Sequence, residues 1–224
     1  MITVHHLNHS RSQRVLWLLE ELELPYEIQY YERDPVTRLA PPALRAVHPL
    51  GKSPVLVDDG VTIAETGAIV EYLIEKSGGR LRPEAGTSDR LRWNYWMHFA
   101  EGSLMPQLLL DLVLSTLPGR APGPLQEAAK SAAESARQAY AAPNLKTMFD
   151  FIEAELAPRP WFAGEEFSSA DVMMSFPLEI GGARAGAFTG RRKVEAFVER
   201  IHARPAYRKA LARGGPYAYA HHEA

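Results

Sequence analysis

The chain has 224 residues, 46% of them hydrophobic and 23% charged, with no cysteine and a formal net charge of −2. Those proportions exclude a disordered or fibrous chain, and the scattered Lys and Arg leave no electrostatic footprint for a nucleic-acid backbone. Without cysteine no protein thiol can form a mixed disulfide, so any sulfur chemistry has to use a ligand's sulfur.

Met1 to Leu7 is too short and too polar for a signal peptide, and no apolar run approaches the ~20 residues of a membrane span, which predicts a cytoplasmic protein with no membrane span. Thr3 to Leu7 reads as extended, and from Ser12 to Glu23 the set Val15, Leu18, Leu19 and Leu22 recurs at helical spacing. Pro25 ends that helix, and Tyr26, Ile28 and Tyr30 then alternate with polar residues as in a half-buried strand. A short helix fits around Pro42 to Val47. Pro54–Val57 and Val61–Ala64 flank Asp58-Asp59-Gly60, a hairpin signal, and helical spacing returns at Ile69, Val70, Leu73 and Ile74 before Gly78-Gly79. Residues 1–77 therefore predict a βαβαββα domain.

Residues 78–88 carry Gly, Pro and charge without periodicity and read as a linker. Residues 89–224 read as all-helical, in segments from about Asp89 to Leu117, Pro124 to Ala142, Asn144 to Leu156, Ser169 to Ala185 and Lys193 to Ala212. The tail from Tyr217 to Ala224 either closes over a cleft or frays.

Four local patterns can carry chemistry. His9-Ser10-Arg11-Ser12-Gln13-Arg14 lies where the first strand gives way to a helix, where unpaired N–H groups and the helix dipole favour an anion; Ser10 or Ser12 serves equally as an N-cap. In His48-Pro49-Leu50-Gly51-Lys52-Ser53-Pro54-Val55, a cis Ser53–Pro54 bond would turn the Ser53 backbone toward an extended ligand, and a trans proline would merely open an edge strand. Glu65-Thr66 opens the third helix as either a cap or a site for a ligand's carboxylate and ammonium. Ser168 to Asp171 has the form of a capping box, a folding device first. His5, His6 and His9 lack a companion acid at ligand spacing, so no metal is assigned, and the chain has no G-x-S-x-G of a serine hydrolase.

Taken in order, these patterns resemble the cytosolic glutathione transferase family over almost the whole chain, and most closely its serine-type bacterial and fungal subgroup. The resemblance implies an α+β two-domain protein, a thioredoxin-like βαβαββα domain followed by an all-α helical bundle, with glutathione as co-substrate. It implies Ser10 as the thiolate-stabilising residue, Ser12 being the second choice. Lys52 would meet the glycyl carboxylate, Ser53 before Pro54 the peptide backbone, and Glu65 and Thr66 the γ-glutamyl group. Ser53 stands where many members have Val or Ile, and Thr66 where many have Ser; both keep the needed backbone or hydroxyl group. A homodimer is implied too, as is a hydrophobic small-molecule electrophile bound between the domains; the helix carrying Trp93, Tyr95, Trp96, His98, Phe99 and Met105 is the source of its walls, most of these aromatics belonging to the core and two or three facing the cleft. Peroxidase, isomerase or dehalogenase chemistry on the same thiolate, or a non-enzymatic binding member, are the rival readings.

The energetics suffice. A thiol of pKa ~8.5 is about 3% ionised at pH 7, and one at ~6.5 is about 75% ionised, a difference of roughly 2.7 kcal/mol. A hydroxyl bonded to a charged partner supplies about 1.5 to 3 kcal/mol, and a helix N-terminus about 0.3 to 1.

Overall fold

The computed structural model describes residues 1–220; the four that end the predicted helical domain and its tail lie outside the described residues. β1 (Ile2–Leu7), α1 (Ser12–Glu21), β2 (Tyr26–Tyr31), α2 (Ala43–Val47), β3 (Val55–Asp58), β4 (Val61–Ala64) and α3 (Thr66–Lys76) follow the expected βαβαββα order. The strands lie in the order β2-β1-β3-β4. β1 runs parallel to β2, Val4 beside Ile28, and antiparallel to β3, Val4 beside Leu56; β3 and β4 form the hairpin around Asp59-Gly60. This is the thioredoxin-like sheet.

All but the last residue of α1 is buried, far more than the single apolar stripe the sequence shows, because four surfaces meet it: β1, α3, and α8 and α10 of the helical domain. Its polar residues are consequently tied inward. Glu20 receives the Tyr26 hydroxyl at 2.8 Å and pairs with Arg213 at 2.9 Å and Lys209 at 2.6 Å.

The helical part comprises α4 (Ser88–Phe99), α5 (Met105–Arg120), α6 (Gln126–Ala136), α7 (Ala142–Glu155), α8 (Ser169–Arg184), α9 (Arg192–His202) and α10 (Pro205–Gly214). Prolines shape it differently from the sequence expectation. Pro143 does not separate two helices; a π turn over Arg137–Ala141 runs α6 into α7, and a second over Ala100–Leu104 joins α4 to α5 just before Pro106. A wider turn ahead of a proline accommodates its ring and its missing N–H, which a regular α-helical turn cannot. Conversely, the single helix expected over Lys193 to Ala212 is two, because Pro205 opens α10 at its first position, where a missing N–H costs nothing.

Residues 77–87, between α3 and α4, contain neither helix nor strand, yet they are fastened. The Leu81 carbonyl receives both the Ser169 N–H at 2.9 Å and the Ser169 hydroxyl at 3.2 Å, which pins this stretch to the start of α8. The expected capping box is present there: Ser168 is the N-cap and Asp171 answers it. Asp171 is fully buried and also receives the Phe162 N–H at 2.9 Å, so the box ties the preceding loop to the helix as well.

Candidate active site

The loop after β1 places two serines side by side. The Ser10 and Ser12 hydroxyl oxygens are 2.7 Å apart, and Ser10 Oγ also accepts the Ser12 N–H at 3.2 Å. Ser12, not Ser10, opens the helix, and the N-cap position belongs to Arg11, which makes no side-chain cap. Ser12 is fully buried: its hydroxyl lies 2.9 Å from His6 Nδ1 and 3.3 Å from the Leu7 carbonyl, and receives the Leu7 N–H at 3.2 Å. Ser10 is 4% exposed, at the outer end of this hydroxyl chain.

The cis-proline loop meets the same strand end. The Ser53–Pro54 bond is cis. The Ser53 hydroxyl donates to the His5 carbonyl at 2.9 Å and receives the Leu7 N–H at 3.3 Å, fixing the loop beside the serine loop. Ser53's own N–H and C=O have no backbone partner among the described residues. Lys52, next to it, is exposed and its ammonium makes no polar contact among the described residues.

At the start of α3, Glu65 is exposed and held at φ 71°, a left-handed conformation that a residue with a Cβ adopts only under constraint. Thr66, 4% exposed, receives Arg14 Nη2 at 3.4 Å. Ser10, Ser53 and Thr66 are thus all placed around the carboxyl end of β1, with Lys52 and Glu65 next to them in the chain.

Two residues with no assigned role in the sequence hold this arrangement together. Arg14 is 1% exposed; it gives Nη1 to the Met173 carbonyl at 2.8 Å and Nη2 to Glu101, and its guanidinium lies over the Phe176 ring at 5.4 Å. The other Glu101 oxygen pairs with Arg11 Nε at 3.2 Å. Burial pushes the Glu101 carboxyl up, but Arg14 and Arg11 outweigh it and hold it below the usual carboxylate range. One ion cluster therefore joins α1, α3, the π turn before α5, and α8. Arg14 stands in a motif that the sequence does single out, but nothing local marks Glu101, 87 positions away, as its partner.

The aromatic residues of α4 are mostly core, as expected. Trp93, Trp96 and Phe99 belong to the core, and Tyr95 is 48% exposed, stacked on Phe99 at 5.6 Å and lying edge-on to Phe151. Period alone cannot show that this face of α4 packs on α8.

The tail passes over the serine loop. The Ala218 N–H donates to His9 Nδ1 at 3.0 Å, the Tyr217 hydroxyl donates to buried Glu179, and the Tyr219 hydroxyl receives Arg184 Nη2 at 2.6 Å. Residues 217–220 are thus fastened rather than frayed; the remainder lies outside the described residues.

His6 gives a pH test of the hydroxyl chain. Burial pushes its imidazole down to about 4, against an opposing pull from the Gly214 carbonyl. A histidine depressed in the folded state binds its proton mainly when unfolded, so its contribution is whole above pH 6.5 and is lost as pH falls toward 4. Two and a half units correspond to about 3 kcal/mol. The stability difference between wild type and His6→Gln in urea melts should fall by up to that amount between pH 7 and 4.5, a comparison that cancels the other titrating groups; a difference that does not change with pH would remove His6 from the account.

A thioredoxin-like sheet whose first helix start, cis-proline loop and third helix start converge beside an all-helical partner defines a two-domain protein of the thioredoxin-like class. Comparison narrows this. Residues 10–76 match the N-terminal domain of glutathione S-transferases, and residues 112–205 match their C-terminal domain. Glutathione S-transferase 3 of Schizosaccharomyces pombe is 41% identical over 179 residues, covering 80% of this chain and 73% of that protein. Among solved structures, a glutathione S-transferase from Actinobacillus pleuropneumoniae superposes with a TM-score of 0.80 at 30% identity, covering 98% and 95% of the two chains. A sphingomonad glutathione S-transferase, solved in complex with glutathione, gives 0.69 at 25% identity, with 95% and 98% covered.

The chain belongs to the glutathione S-transferase family.

No helix among the described residues is long and apolar enough to cross a membrane, and no group of three or more metal-binding side chains occurs among them.

Proposed function

We propose that this transferase ionises the thiol of bound glutathione at Ser10 and directs the thiolate onto a hydrophobic electrophile. The observation that carries the choice of residue is the contrast between the two serines. Ser12 is fully buried, with His6 and both backbone groups of Leu7 around its hydroxyl; Ser10 ends the chain with Ser12 as its one partner among the described residues, and when Ser12 donates to Ser10 across their 2.7 Å contact the Ser10 proton is left for a ligand. Donation from the Ser10 hydroxyl, helped by the unpaired N–H groups at the start of α1, stabilises the sulfur anion without any change in the serine's own protonation.

The tripeptide's other groups follow from the same geometry. Ser53 offers the cysteinyl backbone an N–H and a C=O that have no backbone partner among the described residues. Lys52 is free to meet the glycyl carboxylate. Thr66 and the strained Glu65 present a hydroxyl, helix-start N–H groups and a carboxylate to the γ-glutamyl end. The chemistry fits the serine-type subgroup; the division at residues 77 and 88, cytoplasmic location and homodimeric assembly are part of the same reading. Peroxide reduction, isomerisation or dehalogenation would use the same thiolate.

Calorimetric titration of glutathione tests the reading directly. Wild type should bind with one site per chain, and Thr66→Val should weaken binding by about tenfold, the loss of one hydrogen bond to a charged group. A wild type that binds no glutathione would leave a fold retained without its ligand.

A further inference from the structure

Four guanidinium groups gather at the mouth of the serine loop, and among the described residues only one of them meets a carboxylate. Arg11 pairs with Glu101. Arg33 gives Nε to the Asn8 carbonyl at 3.3 Å and Nη1 to the Arg38 carbonyl at 3.1 Å, both neutral acceptors. Arg184, the last residue of α8, gives Nη2 to the Tyr219 hydroxyl. Arg38 has no side-chain partner among the described residues. The charges of Arg38, Arg33 and Arg184 all act on His9, the neighbour of Ser10, adding to the effect of its burial. Like charges brought together without acids raise the energy of the unliganded protein and create a positive potential that attracts an anion.

Arg184 also borders a cavity. About 220 Å³ lies between α5 and α8, floored by Leu108, Leu112 and Ile180. Its other charged pair is self-contained, Arg137 Nε bonding Asp111 at 2.9 Å. The space thus offers an apolar floor and, at the rim, a cation whose partners among the described residues are only the hydroxyl and the ring of Tyr219, which fits an apolar body bearing one acidic group.

We propose that the electrophile conjugated here carries a carboxylate on an apolar, benzoate-sized body, held by Arg184 at the rim of this cavity. This rests on the transferase reading above and adds the substrate class. With an aryl chloride of this class, the glutathione sulfur forms a bond to the chlorine-bearing ring carbon, chloride leaves with the electron pair of the broken carbon–chlorine bond, and the thiol proton passes to solvent.

The test uses a chloronitrobenzoate and the corresponding uncharged chloronitrobenzamide, each kcat/KM divided by the electrophile's uncatalysed rate with glutathione. Wild type should favour the benzoate by about tenfold or more, the scale of one charge-assisted hydrogen bond. Arg184→Gln should remove most of that preference, Arg184→Lys should restore part of it, and the glutathione Kd should stay within about twofold. A preference that does not move in Arg184→Gln overturns the proposal. So does a glutathione Kd that rises in step, because Arg184 would then serve the tripeptide's own carboxylate. A wild type that binds glutathione yet prefers the benzamide sinks only the substrate class; one that binds no glutathione sinks the transferase reading itself.

Discussion

Replacing Ser10 by alanine should move the kinetic pKa of conjugation from 6 to 7 in wild type up to near 8.5, the value of an unassisted thiol. At pH 6.5 the thiolate fraction then drops from about one half to about 1%, so kcat/KM should fall by about fiftyfold. At pH 9.5 both proteins hold almost all the sulfur ionised, and the two rates should converge to within about twofold. Stopped-flow or steady-state rates with a neutral aryl halide across that pH range would measure this. Convergence matters because a mutant that is merely damaged loses rate at every pH. A uniform loss with an unchanged pKa would move the thiolate's donor elsewhere, and the backbone N–H groups at the start of α1 would be the next candidates.

Asp171→Ala should cost the fold about 3 to 5 kcal/mol, which for a chain of this size lowers the melting temperature by roughly ten degrees. The carboxylate receives the N–H of Ser168 at 2.8 Å, the N–H of Phe162 at 2.9 Å and the Ser168 hydroxyl at 3.1 Å, and is itself fully buried. Alanine leaves these donors unpaired where water cannot reach them, and each orphaned group costs about 1 to 3 kcal/mol. Asp171→Asn retains an acceptor and should lose roughly half as much. Chemical denaturation gives the difference, and activity per folded molecule at low temperature should be preserved in both variants. A loss below about 1 kcal/mol in Asp171→Ala would show that the box is dispensable and that α8 is held by packing alone.

Much of this was legible in the residue order. Local signals were sufficient where the physics is local: Gly60 in the hairpin turn, the capping pair Ser168 and Asp171, and apolar spacing in α1 and α3. They failed where the outcome depends on what lies across the chain. Pro143 and Pro205 look alike as punctuation, but one is absorbed by a π turn and the other starts a helix, and only the packing of α7 and α10 decides which. That Trp93 and Trp96 are among the buried aromatics of α4 depends on Ser169, Phe151 and Phe162, which no local pattern names. The Arg14–Glu101 pair and the bond from Ala218 to His9 join residues 87 and 209 positions apart, beyond the reach of any motif.

The burial of α1 on every side has a consequence for how the protein is made. Leu16 and Trp17 find their cover partly on α10, at Gly214 and Tyr207, and His9 finds its partner at Ala218. A ribosome adding about 5 to 20 residues per second therefore releases the sheet and its loops many seconds before the segments that shield them exist. During that interval the first helix has an unshielded apolar flank, and the loop bearing Ser10 lacks one of its fastenings. The fold is thus closed by residues 205–219, so a nascent chain interrupted before them should be a client for chaperones that hold exposed apolar surface rather than a half-active enzyme.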